Sequence, residues 1–151
     1  MVNTINTLQK NPDWKSTAVV IAWDDSDGWY DHQMGPIVSQ SNTAEDALAG
    51  AGSCGTAKAG AYSGRCGYGP RLPLLVISPF AKRNYVDHSV TDQSSILRFI
   101  EDNWNLGRIG NQSFDAIAGS LQNMFDFSRK ERERDNRLCL DPLTGEPRGC
   151  F

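Results

Sequence analysis

The sequence predicts an α/β fold built on a largely parallel sheet, and three observations carry that expectation. Two apolar runs read as strands covered on both faces: TAVVIA from Thr17 to Ala22, and RLPLLVISP from Arg71 to Pro79. A helix-spaced segment feeds directly into the first run, as in half of an α/β crossover. At the end of that run acids accumulate abruptly, where open α/β sheets form their ligand crevice.

Taken in order, Val2, Ile5 and Leu8 recur at intervals of three, which predicts a short helix over 2–10 with one buried stripe, ended by Asn11-Pro12. Crossover logic then expects a partner strand upstream of Met1. Asp13 to Ser16 turns into the central strand, where Thr17, Val19, Val20 and Ile21 are β-branched and Ala18 and Ala22 are small. Asp24 and Asp25 stand at its end, followed by Asp27, Asp31 and His32, so five ionisable groups fall within nine residues. Adjacent strand residues point to opposite faces; Asp24 and Asp25 can share a cation only where the strand ends and the backbone turns. Ser26, Asp27 and Gly28 supply that turn. A solvated turn with a helix cap is the plain alternative. Against it, Trp29, Tyr30 and His32 follow at once, and acids held together are costly without a cation. An EF-hand is excluded, because its alternating Asp/Asn ligands and terminal Glu are absent.

Residues 33–69 form a long segment rich in Gly, Ser and Ala with little periodicity, which reads as a lid, a binding loop, a disordered insertion or a plain surface loop. In the second strand, Pro70 and Pro73 lie toward the start, where a missing donor is tolerated, and Ser78-Pro79 ends it. A short strand is expected at Tyr85-Val86, followed by Asp87, His88 and Asp92. Thr91 or Asp92 caps a helix from Gln93 to Trp104, with Ile96, Leu97, Phe99, Ile100 and Trp104 on one face and Asn105-Leu106-Gly107 closing it. A second helix, roughly Phe114 to Met124, is expected to bury Phe114, Ile117, Ala118, Leu121 and Phe125. Ser128 to Arg137 alternates charge sign and reads as a solvated helix or linker.

The length suits one ordinary domain, and the formal net charge of -3 with no basic stripe argues against a nucleic-acid surface. No apolar run approaches the roughly 18 residues of a membrane span, and residues after Met1 lack the basic and apolar regions of a signal peptide. The four cysteines lack zinc spacing. Two disulfides, Cys54 with Cys66 and Cys139 with Cys150, are favoured among the three possible pairings. They imply an oxidising compartment. A chain without a signal peptide fits this if it is the downstream part of a longer exported protein.

Three stretches, IAWDDSDGWYDH, GYGPRLPLLVISPFAKRNYVDHSVTDQSSILRFIEDNW and LQNMFDF, occur in the order found in a bacterial phosphoesterase family. From about Pro12 to Phe127 the chain resembles the C-terminal portion of that family, which contains phosphatidylcholine-type phospholipases C and acid phosphatases. The resemblance implies an alkaline phosphatase-like mixed sheet flanked by helices, present here as a C-terminal part. Residues 1–127 would belong to the catalytic domain, with 128–151 a charged linker and disulfide-closed tail. It further implies metal-dependent hydrolysis of phosphoric esters, with a divalent metal ion on Asp24 and Asp25 and with Asp31 and His32 in or beside the active site. His88 falls in the family's Val-Asp-His segment, with either a catalytic or a structural hydrogen-bonding role. The family's upstream half carries a Glu-Asn-x-Ser-Phe-Asp type motif that completes the metal site and the hydroxyl nucleophile that is phosphorylated; neither is expected in this chain, so weak activity or none is expected of it alone.

The expected substrate is a phosphate ester or a phospholipid, in the periplasm or outside the cell. The competing reading is a non-catalytic fragment or divergent domain that binds a cation or partner without turnover. Sheet edges left unpaired would favour self-association.

Overall fold

A computed structural model describes residues 1–25, 68–111, 113–128 and 137–150. They belong to two compact units. The first comprises Met1–Ile21, Leu74–His88 and Gln122–Phe151; the second comprises Ala22–Pro73 and Ser89–Leu121.

The first unit begins with α1, Val2–Lys10. Asn11 takes extended φ and ψ ahead of Pro12, which stops the helix. The Asn11 side chain then accepts from the Asp13 N–H at 2.8 Å and starts a 3-10 turn, Pro12–Ser16, that buries Trp14. The expected apolar stripe on α1 is not what is buried. Leu8 is exposed, and the covered residues are Asn6 and Gln9. Three apart on one helix face, these amides pair with the chain opposite as a backbone would. Asn6 donates to Leu140 O at 2.7 Å and accepts from Leu140 N at 3.1 Å; Gln9 donates to Leu138 O at 2.9 Å and accepts from Leu138 N at 2.7 Å. Burial of polar side chains is tolerated because each amide finds both a donor and an acceptor.

Residues 138 and 140 lead into and form a hairpin. Strand β3, Cys139–Leu140, pairs antiparallel with β4, Pro147–Arg148. Between them the Asp141 carboxylate accepts from the N–H groups of Leu143 and Thr144, and Gly145 takes a left-handed φ of 75° to close the turn. Cys139 is joined to Cys150, the pairing expected for the tail. Thus α1 covers one edge of the hairpin, and the disulfide ties down its end.

Strands β1, Val19–Ala22, and β2, Leu74–Ile77, form the other two-stranded sheet. Their order agrees with the sequence, but their surroundings and direction do not. Ser78, just past the end of β2, donates its hydroxyl to Thr17 O, before the start of β1, at 2.9 Å. Only an antiparallel pair brings those two ends together, so the parallel arrangement expected for these strands is corrected. Neither strand is fully covered: β1 is half-buried up to an exposed Ala22, and Leu75 on β2 is exposed.

After β2, Lys82 N–H donates to Met124 O at 2.9 Å and Asp126 N–H to Phe80 O at 2.8 Å, around an antiparallel bridge between Ala81 and Phe125. Phe80, Phe125 and Phe127 gather there, with centroids 5.4 Å apart for Phe80–Phe127 and for Phe125–Phe127. Tyr85-Val86 is not the expected strand. The ladder is used up at Ala81, Asn84 turns at a φ of 49°, and both following residues are exposed.

In the second unit, α2 spans Ser94–Trp104. At its start the Ser95 hydroxyl accepts from the Asp92 N–H at 3.0 Å, and Asp92 O accepts from Ser95 N–H at 3.0 Å. The N-cap position is Gln93, without a side-chain cap bond, so neither Thr91 nor Asp92 caps the helix as expected; Asp92 takes part only through its backbone bonds to Ser95. Asn105 in the left-handed region ends the helix, with Leu106 N–H reaching back to Glu101 O at 3.0 Å. The buried residues of α2 are Ser95 and Glu101, whereas Ile100 and Trp104 of the expected apolar face are exposed.

The expected helix over 114–124 is two 3-10 turns, Phe114–Ala116 and Gln122–Met124. Ala118, Leu121 and Phe125 are buried as expected, but Ile117 is exposed. Between the two turns, at Gly119, a Cβ would stand 2.0 Å from Val90 O. The chain passes too close to that carbonyl for any side chain, and glycine weakens helix continuation.

Candidate functional site

Asp24 and Asp25 follow the carboxyl end of β1, after Trp23, and both are exposed. The clearest bonds at this strand end are made to the backbone. Gln93, at the N-cap position of α2, donates from Nε2 to Trp23 O at 3.0 Å and to Asp24 O at 2.6 Å. The residue pairs are 70 and 69 positions apart in sequence. Nothing in the local pattern around Gln93 links it to the acids, so it was legible only as the beginning of a helix.

The acidic pair offers carboxylate oxygens, the donor type that hard and borderline divalent cations accept. Two residues leave most of a coordination shell to other donors. Among the described residues, no group of three or more His, Cys, Asp or Glu side chains is placed to hold a metal ion. Asp31 and His32 lie outside the described residues, as do Asp27 and the pair Cys54 and Cys66.

His88 belongs to the first unit and is exposed, in an irregular stretch after the Asn84 turn. Upstream of it, Lys82 Nζ sits 4.6 Å from the Tyr85 ring centroid, a cation–π contact that braces this stretch. Asp87 is half-buried beside it in sequence.

A second acidic group in the second unit was not singled out from the sequence. Arg108 pairs with Glu101 Oε2 at 3.1 Å and with Asp102 Oδ1 at 2.5 Å. Arg98 reaches the Ala118 carbonyl and lies 3.7 Å from Asp102. Asp115 is fully buried and accepts from the Ile109 N–H at 3.1 Å. A hydrogen bond from Ser113, reinforced by the Ile109 N–H, holds its carboxyl below the ordinary value of 3.8 against the opposing effect of burial. Hydrogen bonding to Asp102 and the nearby carboxylates hold the Arg108 guanidinium above its ordinary value. These acids are consumed by the fold: they tie the loop after α2 back onto the helix.

Comparison with known proteins places the chain among the phosphoesterases. The sequence model described as "Phosphoesterase family" matches residues 1–107. The chain is similar to a non-hemolytic phospholipase C of Burkholderia pseudomallei, 35% identical over 134 residues covering 82% of this chain and 19% of that protein. It is also similar to a hemolytic phospholipase C of Pseudomonas aeruginosa, 31% identical over 133 residues covering 84% of this chain and 17% of the relative. A non-specific phospholipase C1 of Arabidopsis thaliana is 28% identical over 135 residues, 84% of this chain and 24% of that protein. The chain therefore spans between about a sixth and a quarter of these relatives' length. With its three motifs and the match over residues 1–107, it belongs to the phosphoesterase family.

Proposed function

We propose that this chain contributes the acidic strand end of a metal-dependent hydrolase of phosphoric esters, of the phospholipase C or acid phosphatase type. The carrying observation is the exposed pair Asp24 and Asp25 at the end of β1, within a chain of the phosphoesterase family. Its family membership also supports an alkaline phosphatase-like mixed sheet for the complete domain.

In this reading Asp24 and Asp25 hold a divalent cation, and Asp31 and His32 stand in or beside the active site. A bound divalent cation would supply positive charge to a phosphoryl oxygen and acidify a bound hydroxyl. The chain's own residues do the positioning. Gln93 holds the backbone that carries Asp24, and His32 orients a ligand or carries the leaving-group proton, for which imidazole is suited near neutral pH. His88, on an exposed stretch, serves as a second candidate proton carrier or as a loop anchor. The Cys139–Cys150 disulfide supports an exported protein.

The test is hydrolysis of p-nitrophenyl phosphate and p-nitrophenyl phosphorylcholine, with added divalent metal and with a chelator. It is run on this chain and on a protein of the relatives' length that contains it. Chelator-sensitive turnover lost in Asp24→Asn is the expected result. Turnover indifferent to both chelator and Asp24→Asn would reject the assignment.

A further inference from the structure

One side chain grips the backbone on which the acidic pair is mounted. In a regular strand successive carbonyls point to opposite sides, so one donor group cannot reach two adjacent ones. Gln93 Nε2 nevertheless lies 3.0 Å from Trp23 O and 2.6 Å from Asp24 O. The peptide planes have rotated there, and the strand has ended. This is the condition under which the neighbouring carboxylates of Asp24 and Asp25 stop facing opposite ways.

The grip comes from a fixed base. Gln93 immediately precedes α2, whose first turn is pinned by the reciprocal bonds between Asp92 and the fully buried Ser95. A site is held to its geometry when its support is itself locked. The chemistry of the residue also fits. A primary amide carries two hydrogens for two acceptors and is neutral, whereas lysine or arginine would bring a positive charge to compete with a cation.

We propose that Gln93 is a positioning residue for the divalent cation held by Asp24 and Asp25, a role that rests on the cation reading above. Its amide sets the backbone turn at residues 23–24 and thereby the convergence of the two carboxylates. Removing the donor leaves the ligands in place but frees the backbone that aims them.

The experiment is calorimetric titration of the 151-residue chain with Mn2+ alone, well below the unfolding temperature. Variants are Gln93→Met and Gln93→Leu, which lack the donor, Asp24→Asn, and Asp115→Asn. The last loosens the same unit at the far end of α2 and controls for general destabilisation. Circular dichroism confirms folding, and both Gln93 variants change an exposed position.

Each Gln93 variant is expected to bind Mn2+ about tenfold more weakly, the lower end of the range for residues that support metal ligands, with Asp115→Asn at wild-type affinity. Asp24-dependent binding that both Gln93 variants retain in full would overturn the positioning role alone. An equal loss in Asp115→Asn would overturn it too, by reducing Gln93 to a structural contact. No binding by the wild-type chain, or binding indifferent to Asp24→Asn, would overturn the cation reading and this role with it.

Discussion

Two sets of acids in the second unit have opposite surroundings. Glu101, Asp102 and Asp115 meet Arg98, Arg108 and backbone N–H groups, and Asp115 and Glu101 are buried. Asp24 and Asp25 are exposed, at the end of a strand where the neutral Gln93 holds the carbonyls of Trp23 and Asp24. The lesson is that acid count does not identify a site. A carboxylate whose charge is already met by arginine is part of the fold, because breaking a buried pair leaves an uncompensated charge. An exposed carboxylate carries no such burial cost, so its charge is not fixed by the fold in the same way.

The strongest way to break this comparison is Asp24→Asn. It should lower Mn2+ affinity by at least about a hundredfold, the upper end of the range for supporting residues. Its effect on stability should stay within about 0.5 kcal/mol, as for surface changes. Calorimetric titration and urea unfolding read the two separately, and a large loss of stability would move Asp24 into the structural set.

The next effect belongs to the packed side of the unit. Gly119→Ala must push its new methyl away from Val90 O, and should cost about 2 kcal/mol in urea unfolding. Unchanged stability would mean that the close pass between residues 119 and 90 is absent in solution.

A neutral counterpart lies in the first unit. Gln9→Ala leaves the N–H and carbonyl of Leu138 without the amide that serves both, and should cost about 1.5 kcal/mol. Because no charge is involved, that loss should be the same at pH 5 and pH 8, as read by urea unfolding at each pH. A loss confined to one pH would point to a titrating partner instead.

The smallest effect is the acid dependence of the structural set. The folded Asp115 carboxyl is held below its ordinary value of 3.8, chiefly by Ser113 and the Ile109 N–H. An unfolded chain therefore takes up its proton first as pH falls. The stabilisation is fully present above the ordinary value and is lost as pH drops through the lower, folded value. Asp141, held low by the N–H groups of Thr144 and Leu143, behaves with the same sign. Thermal melts from pH 6 to pH 2 should fall at the acid end, and Asp115→Asn should flatten part of that fall. A slope unchanged by Asp115→Asn would assign the acid sensitivity to other groups.

Much of the framework was legible because it depends on local chemistry. The helix over 2–10 is read from the spacing of its residues and its Asn11-Pro12 stop, and the end of α2 from Asn105. The pairing of Cys139 with Cys150 follows from two nearby thiols on a turn-rich tail. Asp24 and Asp25 are recognisable as a strand-end pair from sequence, and their location after β1 agrees with that reading.

What failed to be legible depended on distant neighbours. A run of apolar residues states that a strand will be covered, but neither its partner's direction nor which residue stays open. Ser78 meeting Thr17 decides the first for β1 and β2, and exposed Leu75 illustrates the second. The apolar spacing of α1 likewise pointed to Val2, Ile5 and Leu8, while the hairpin opposite offers unpaired backbone and so selects Asn6 and Gln9. Over 114–124 the spacing suited a helix, but the chain forms two short turns and passes close to residue 90 at Gly119 between them.

By itself the sequence determined the helix over 2–10, the end of α2, the two apolar strand segments and which acids cluster at a strand end, since dihedral preferences, caps and periodicity act within a few residues. Only the tertiary structure decided which acids are spent on arginines and that Gln93 grips the backbone beneath Asp24. Those outcomes turn on contacts between residues far apart in the chain, and a hydrogen bond depends on distance in space, which local sequence does not encode.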